Sequence, residues 1–284
     1  MSDPTPWRAI GLMLVGMCCI PAGDGVAKVM IGQYDVSPGF VVWARFLVGA
    51  VCVLPFLKPE TLPPRAILDW RLLLRGLLLA GTVGSITQAV ALVPLATVFG
   101  AFFVGPILSY FLSVLFLGER IGRLQTLLLF VGFGGVLLVV RPGAEMEVGA
   151  LFAVLAGVFY GAFLTTGRWL RSVAPPITLL FMQLVVAMVA TVPLAIGPVP
   201  AMTWVMLLLL LFSGLFSLWA NMLILNAYRT TEATRLAPFV YMQLVAATVY
   251  GVAFFGEVPD AMTFAGLLLL IGSGFGSLAL KRGA

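Results

Sequence analysis

The chain is a succession of long apolar runs separated by short breaks, and no polar stretch is long enough to form a layer of its own. At about 20 apolar residues per membrane crossing, the runs fall near residues 9–31, 39–57, 70–92, 96–117, 122–141, 149–170, 176–196, 202–226, 234–255 and 261–280. The breaks carry residues that stop helices: Ser37-Pro38, Lys58 to Pro64, Pro94, Arg141-Pro142-Gly143, Pro175-Pro176, Gly197 to Pro200, and Pro259. Within a run the apolar residues are continuous instead of alternating, so the pattern predicts helices and not barrel strands. The expected fold is an all-α integral membrane protein of ten transmembrane helices, with no connection long enough for a soluble domain.

The fourth run ends abruptly at Gly118-Glu119 and the ninth ends the same way at Gly256-Glu257. These stops lie 138 positions apart, about half of the 284 residues, and the same offset pairs Val114 with Val252, Phe116 with Phe254, Leu129 with Leu267 and Gly134 with Gly272. The chain therefore reads as two repeats, residues 1–145 and 146–284, of five spans each. An odd number of spans per repeat inverts the second relative to the first, the arrangement common in secondary transporters.

Composition agrees with burial in lipid: 62% of residues are hydrophobic and only 10% charged, with a mean hydropathy of +1.13. The net charge of +5 comes from basic residues scattered between apolar runs, a pattern that reports orientation and gives no reason to expect a nucleic-acid partner. With the N-terminus in the cytoplasm, 13 of the 16 Lys and Arg residues fall on the inner side. Arg141 lies outside, and Lys28 and Arg45 lie within spans. The count predicts ten crossings with both termini cytoplasmic. Arg8 followed by an apolar run resembles a signal peptide, but the run resumes to Ile31 and Met17 suits a lipoprotein cleavage site poorly, so a first span is expected instead. Cys18, Cys19 and Cys52 all lie in spans as small hydrophobes and predict no disulfide framework. Histidine is absent, so any proton coupling falls to a carboxylate or a lysine.

The order of short motifs resembles the EamA-type family of the drug/metabolite transporter superfamily: five-plus-five spans, Asp24-Gly25-Val26-Ala27-Lys28 late in the first span, Ala44-Arg45-Phe46 in the second, and Gly-Glu closing spans four and nine. The resemblance covers the whole chain. It implies a central cavity between the halves, spans five and ten at the periphery, and transport of a small organic solute. The stretch from Pro21 through Asp24 to Lys28 is also similar to riboflavin transporters within that family.

Asp24 and Lys28 stand four apart on one helical face, where they can neutralise each other. Pro21, Gly23 and Gly25 surround them and predict a break in the helix that would expose backbone groups to a solute. The alternative is a structural ion pair with Lys28 extended to the interface. Arg45 needs a partner at its depth, either Asp24 or a carboxylate or phosphate of the solute. Glu119 and Glu257 read as helix caps or interface pairs. Gln88, Gln183, Asn221 and Gln243 are amides inside spans and must face protein or water. Tyr110, Tyr160, Trp219 and Tyr241 lie too deep for an interfacial belt and offer flat surfaces with a polar handle; each also fits ordinary packing. The frequent glycines read as sites of close helix packing.

The expected substrate-binding set is Asp24, Lys28, Arg45, Gln88, Tyr160, Trp219, Asn221, Tyr241 and Gln243. It faces a small-molecule substrate in a lipid bilayer, with riboflavin or a similar heteroaromatic as first candidate and an aromatic or other hydrophobic amino acid as second. Import, export and homodimer formation are left open. The sequence holds no phosphate loop, no Cys/His metal spacing and no Ser/His/Asp set, so it predicts no cofactor, no metal site and no ATP-driven pump. A polytopic membrane enzyme is the alternative from another class, and it would need paired carboxylates or a His/Cys cluster at one membrane face. A non-transporting scaffold would not need polar residues within spans.

Overall fold

The structure is a computed structural model that describes residues 6–57, 69–117, 123–143, 147–170, 173, 175–230 and 236–281. The helices are α1 (Pro6–Tyr34), α2 (Pro38–Val53), α3 (Trp70–Leu92), α4 (Leu95–Phe102), α5 (Val104–Leu117), α6 (Arg123–Val140), α7 (Val148–Trp169), α8 (Pro176–Thr191), α9 (Trp204–Thr230), α10 (Met242–Phe255) and α11 (Ala261–Lys281). Short 3-10 segments extend α2 (Leu54–Phe56) and α8 (Val192–Ala195) and precede α10 (Ala237–Tyr241). Among the described residues, seven helical segments are long and apolar enough to cross a membrane, and three shorter apolar helices (126–140, 239–255 and 261–274) accompany them. Gly118, Glu119 and Arg120 lie outside the described residues, as does the side chain of Tyr110.

Helix boundaries follow local chemistry. Ser37 Oγ accepts from the Phe40 N–H at 3.3 Å and Pro38 takes the first helical position, where its missing N–H costs nothing. Asp69 accepts from Arg71 N–H at 2.9 Å to start α3. Asp260 starts α11, accepting from Thr263 N–H at 2.8 Å while also bonded to Arg141 from the end of α6, and these bonds lower its carboxyl pKa to about 2.

Two features depart from the pattern. The fourth run is not one helix: it breaks at Phe103. Pro106 has no N–H to offer the Phe102 carbonyl one turn back, so the helical ladder is interrupted there. In α1 the opposite happens. The expected break at Pro21 does not form, and α1 runs continuously through it. Gly16 and Gly23 lie against the backbone of α9; a Cβ at Gly23 would stand 3.2 Å from the Ser213 carbonyl. These glycines serve close approach to α9 and not local unwinding.

The packing repeats. α1 packs along α9 and α3 along α7; α2 meets both α8 and α9, and α8 meets α3; α6 and α11 pack chiefly on each other. The largest buried cluster centres on α4, where Leu95, Val98 and Phe99 are fully buried against residues of α6, α7, α10 and α11. Phe103, at the break between α4 and α5, stacks on Tyr241, at the 3-10 segment before α10, with ring centroids 5.0 Å apart. We call the end of the bundle where α1 begins the near end, and the end at Tyr34 the far end.

Candidate functional site

Asp24 is 2% exposed and Arg45 6%, so both charges stand in a low-dielectric interior where an unpaired one would cost several kcal/mol. Arg45 Nη1 donates to Asp24 Oδ1 at 2.6 Å, and Nη2 donates to Ser217 Oγ at 2.6 Å. Ser217 Oγ–H donates to the Ser213 carbonyl at 3.2 Å, and Ser213 Oγ–H donates to the Gly23 carbonyl at 3.0 Å. The chain of bonds pins α1, α2 and α9 together. One atom is left over: Arg45 Nε is buried with no hydrogen-bond partner.

Lys28 does not pair with Asp24. It forms an ion pair with Glu257, both side chains 17% exposed, and donates to the Val93 carbonyl at 2.9 Å. Glu257 Oε2 in turn accepts from the Leu95 N–H at 2.9 Å. At the joint between α3 and α4, a cation thus sits beside a carbonyl at the C-terminal end of one helix and a carboxylate on the first N–H of the next, each on the side its helix dipole favours. Gly256 makes this reach possible. At φ 66° it is left-handed, its N–H returns to Val252 O at 3.2 Å, and the chain turns Glu257 toward α4.

Among the described residues, two cavities lie between the helices. The larger, about 550 Å³, occupies the far half of the bundle between α2, α3, α7 and α8, and its walls include Gly39, Gly84, Ser85, Gln88, Phe152 and Thr191. The smaller, about 50 Å³, is deeper, near mid-span, between α2, α3, α8 and α9. Arg45, Gln183, Ser217 and Asn221 supply its polar lining. An apolar layer of Val42, Phe46, Ala80 and Ala187 is packed in the same region.

Toward the near end, α3, α7 and α8 pack closely on one another among the described residues. Arg75 of α3 reaches between α7 and α8: Nε donates to Gln183 Oε1 at 2.8 Å, and Nη1 donates to Phe163 O and Thr166 Oγ1, each at 3.2 Å. Its guanidinium lies 3.9 Å from the Phe163 ring centroid. Trp70 and Trp169 meet edge to face at 5.4 Å, and Leu72, Leu170 and Met182 fill the space around them.

Of the nine residues expected to bind substrate, the structure joins Asp24 to Arg45 and places Asn221 on the same small cavity as Arg45. Gln88 lines the large cavity. Lys28 is held at the far end by Glu257. Tyr160 is packed against Phe102 at 4.8 Å and Tyr241 against Phe103, both in the interior cluster around α4. Gln243 is buried in α10. Trp219 is 55% exposed, on the outward stripe of α9 with Leu208, Leu211 and Phe212. The aromatic cage does not assemble: these rings fill interhelical space or face outward. Arg75 was assigned to the cytoplasmic cations by charge counting; its position one turn inside the third span was the signal that it belongs to the bundle interior.

Paired charges inside a bundle of apolar helices, with a cavity walled by helices from both ends of the chain, suit a transporter of small solutes. The chain belongs to the EamA-like transporter family, whose sequence profile matches residues 7–141 and again residues 147–278. The family sits within the drug/metabolite transporters, and relatives are named for different solutes. An S-adenosylmethionine uptake transporter of Rickettsia bellii is 27% identical over 92% of this chain and 90% of its own length. A pseudopaline exporter of Pseudomonas aeruginosa is 31% identical over 70% of this chain and 72% of its own. A riboflavin transporter of Rhizobium johnstonii is 29% identical over 77% and 73%. A solved crystal structure shares the fold at TM-score 0.65, with 17% identity, covering 96% of this chain and 98% of that one.

Proposed function

We propose that the protein is a secondary transporter of the bacterial inner membrane that moves a small organic metabolite bearing an amino-acid group, by alternating access. In this reading residues 1–145 and 146–284 form two inverted halves of five crossings each, the near end is cytoplasmic, and the halves rock about the space between α2, α3, α8 and α9. The observation that carries the reading is the large cavity: helices from both halves wall it in the far half of the bundle, while toward the near end Arg75 ties α3 to α7 and α8, and Leu72, Leu170 and Met182 are buried between them. That asymmetry is what one end state of an alternating-access cycle requires.

An amino-acid group is favoured over a flavin on two grounds. The aromatic residues that would stack on a flavin are engaged with each other or face outward. Arg45, by contrast, keeps an unpartnered N–H in the interior, and the relative from Rickettsia bellii is named for S-adenosylmethionine, which carries an α-amino-acid group. The riboflavin transporters among the relatives keep the flavin as the second reading.

Uptake and efflux of labelled S-adenosylmethionine and riboflavin by proteoliposomes carrying the purified protein test this. Saturable movement of S-adenosylmethionine, competed by amino acids and not by flavins, is the expected result. Movement of riboflavin alone selects the second reading, and movement of neither rejects both solutes.

A further inference from the structure

The small mid-span cavity has a composition of its own. Its walls contain positions that are related by the repeat offset of 138: Arg45 with Gln183, Phe46 with Leu184, Leu79 with Ser217, and Val83 with Asn221. A cavity lined by equivalent positions of both halves lies on the axis that relates them, where inverted-repeat transporters build their solute sites.

Its polar atoms are mostly donors. Arg45 Nε–H has no partner. Gln183 accepts from Arg75 through Oε1, which orients the amide and leaves its NH₂ as donor. Ser217 Oγ already accepts from Arg45 and donates to its own helix, and Asn221 spends one N–H on the Ser217 carbonyl at 2.8 Å, keeping a second at the cavity rim. The charge has the same sense. Asp24 balances Arg45, but Arg75, immediately behind Gln183, is bonded only to neutral groups among the described residues, so the surroundings carry one uncompensated positive charge.

We propose that this cavity is the carboxylate subsite of the transported metabolite, with the Gln183 amide as its donor and the Arg45 guanidinium in its wall. A carboxylate takes the free amide protons beside Arg45 and supplies the negative charge that Arg75 lacks among the described residues. At about 50 Å³ the cavity takes the carboxylate alone, and the rest of the solute occupies the larger cavity once the layer of Val42, Phe46, Ala80 and Ala187 parts. Lys28, neutralised by Glu257, has no role in holding the anion. The proposal rests on the transporter reading and is tested separately from it.

The test is thermal unfolding of the purified full chain with acetate, butyrate and hexanoate against the matched primary amides, at equal ionic strength. The acids are expected to raise Tm by about 2 °C or more at saturating concentration and the amides not at all. Gln183→Glu keeps the acceptor for Arg75 but turns an anionic oxygen into the cavity, and should abolish the acid-specific shift; Gln183→Met, which removes the donors without adding charge, should do the same and replaces it should Gln183→Glu fail to fold. Equal shifts from acid and amide, no shift from either, or a full acid shift in a folded Gln183 variant would overturn the subsite. Uptake of S-adenosylmethionine measured in parallel separates the two ideas: transport without acid preference leaves the transporter reading standing and removes the subsite, and acid-specific stabilisation without uptake keeps the subsite and removes that solute.

Discussion

Phe103 and Tyr241 stand 138 positions apart in the sequence and stack on each other, ring centroids 5.0 Å apart, at two places where a span departs from a regular α-helix. Each half thus contributes its break, and the aromatic residue at that break, to one contact. Phe103 is 2% exposed, so truncating it removes both the stack and most of a buried ring.

Phe103→Ala should therefore lower stability by about 3 kcal/mol, near the low end for a buried Phe because surrounding helices can close in, while Tyr241→Phe should cost less than about 1 kcal/mol. Unfolding of the purified variants in mixed detergent reads both values. Equal effects from the two substitutions would mean that the phenol hydroxyl, not the stack, is what the contact depends on.

Lys28 and Glu257 close the α3–α4 joint, and each leaves the other partly buried and unpaired when removed. Glu257→Gln or Lys28→Met should each cost about 2–4 kcal/mol, and the double variant should cost less than the two added together. A double-mutant cycle on unfolding gives the coupling; additive losses would show that the pair does not act as a unit.

The Asp24–Arg45 pair answers a different question. Asp24→Asn leaves a buried guanidinium without its counter-charge and should destabilise by about 3–5 kcal/mol. Asp24→Asn combined with Arg45→Gln removes both charges and should recover much of that loss while transport stays absent. Recovery of transport in the double variant would exclude Arg45 and Asp24 from solute handling and leave them a structural pin.

Two glycines on α3 separate cavity from contact. A Cβ at Gly84 meets nothing within 4 Å, whereas one at Gly81 would stand 2.8 Å from the Phe159 ring. Gly84→Leu should project into the large cavity, leave Tm within about 2 °C and cut transport at least tenfold, and Gly81→Leu should impair folding itself. Full transport by Gly84→Leu would show that solute does not pass through this cavity.

The predicted orientation is checked by single cysteines in a background lacking Cys18, Cys19 and Cys52. Gln33→Cys and Pro198→Cys should react with an impermeant thiol reagent applied to intact cells, and Glu60→Cys and Thr230→Cys should react only after lysis. The reverse pattern would invert the bundle in the membrane.

What the sequence determined by itself was whatever depends on local composition and spacing. The apolar runs placed the helices to within a few residues: 70–92 coincides with α3, and 9–31 lies inside α1. Gly256-Glu257 was legible as a helix end because a left-handed glycine after the last turn is a local device, and the motif order led to the right family. What only the tertiary structure decided was who meets whom. Asp24 and Lys28 share a helical face, yet a buried charge takes the partner whose geometry and further hydrogen bonds satisfy it best, and those partners are Arg45, 21 positions away, and Glu257, beyond the other half of the chain. Pro21 could have opened a helix as Pro106 does, but close packing of Gly16 and Gly23 on α9 holds α1 straight through it. The aromatic residues carry no mark in the sequence that distinguishes a ring lining a cavity from one filling a core. That distinction is a matter of which neighbours pack against the ring, and for Tyr160 and Tyr241 the neighbours are Phe102 and Phe103.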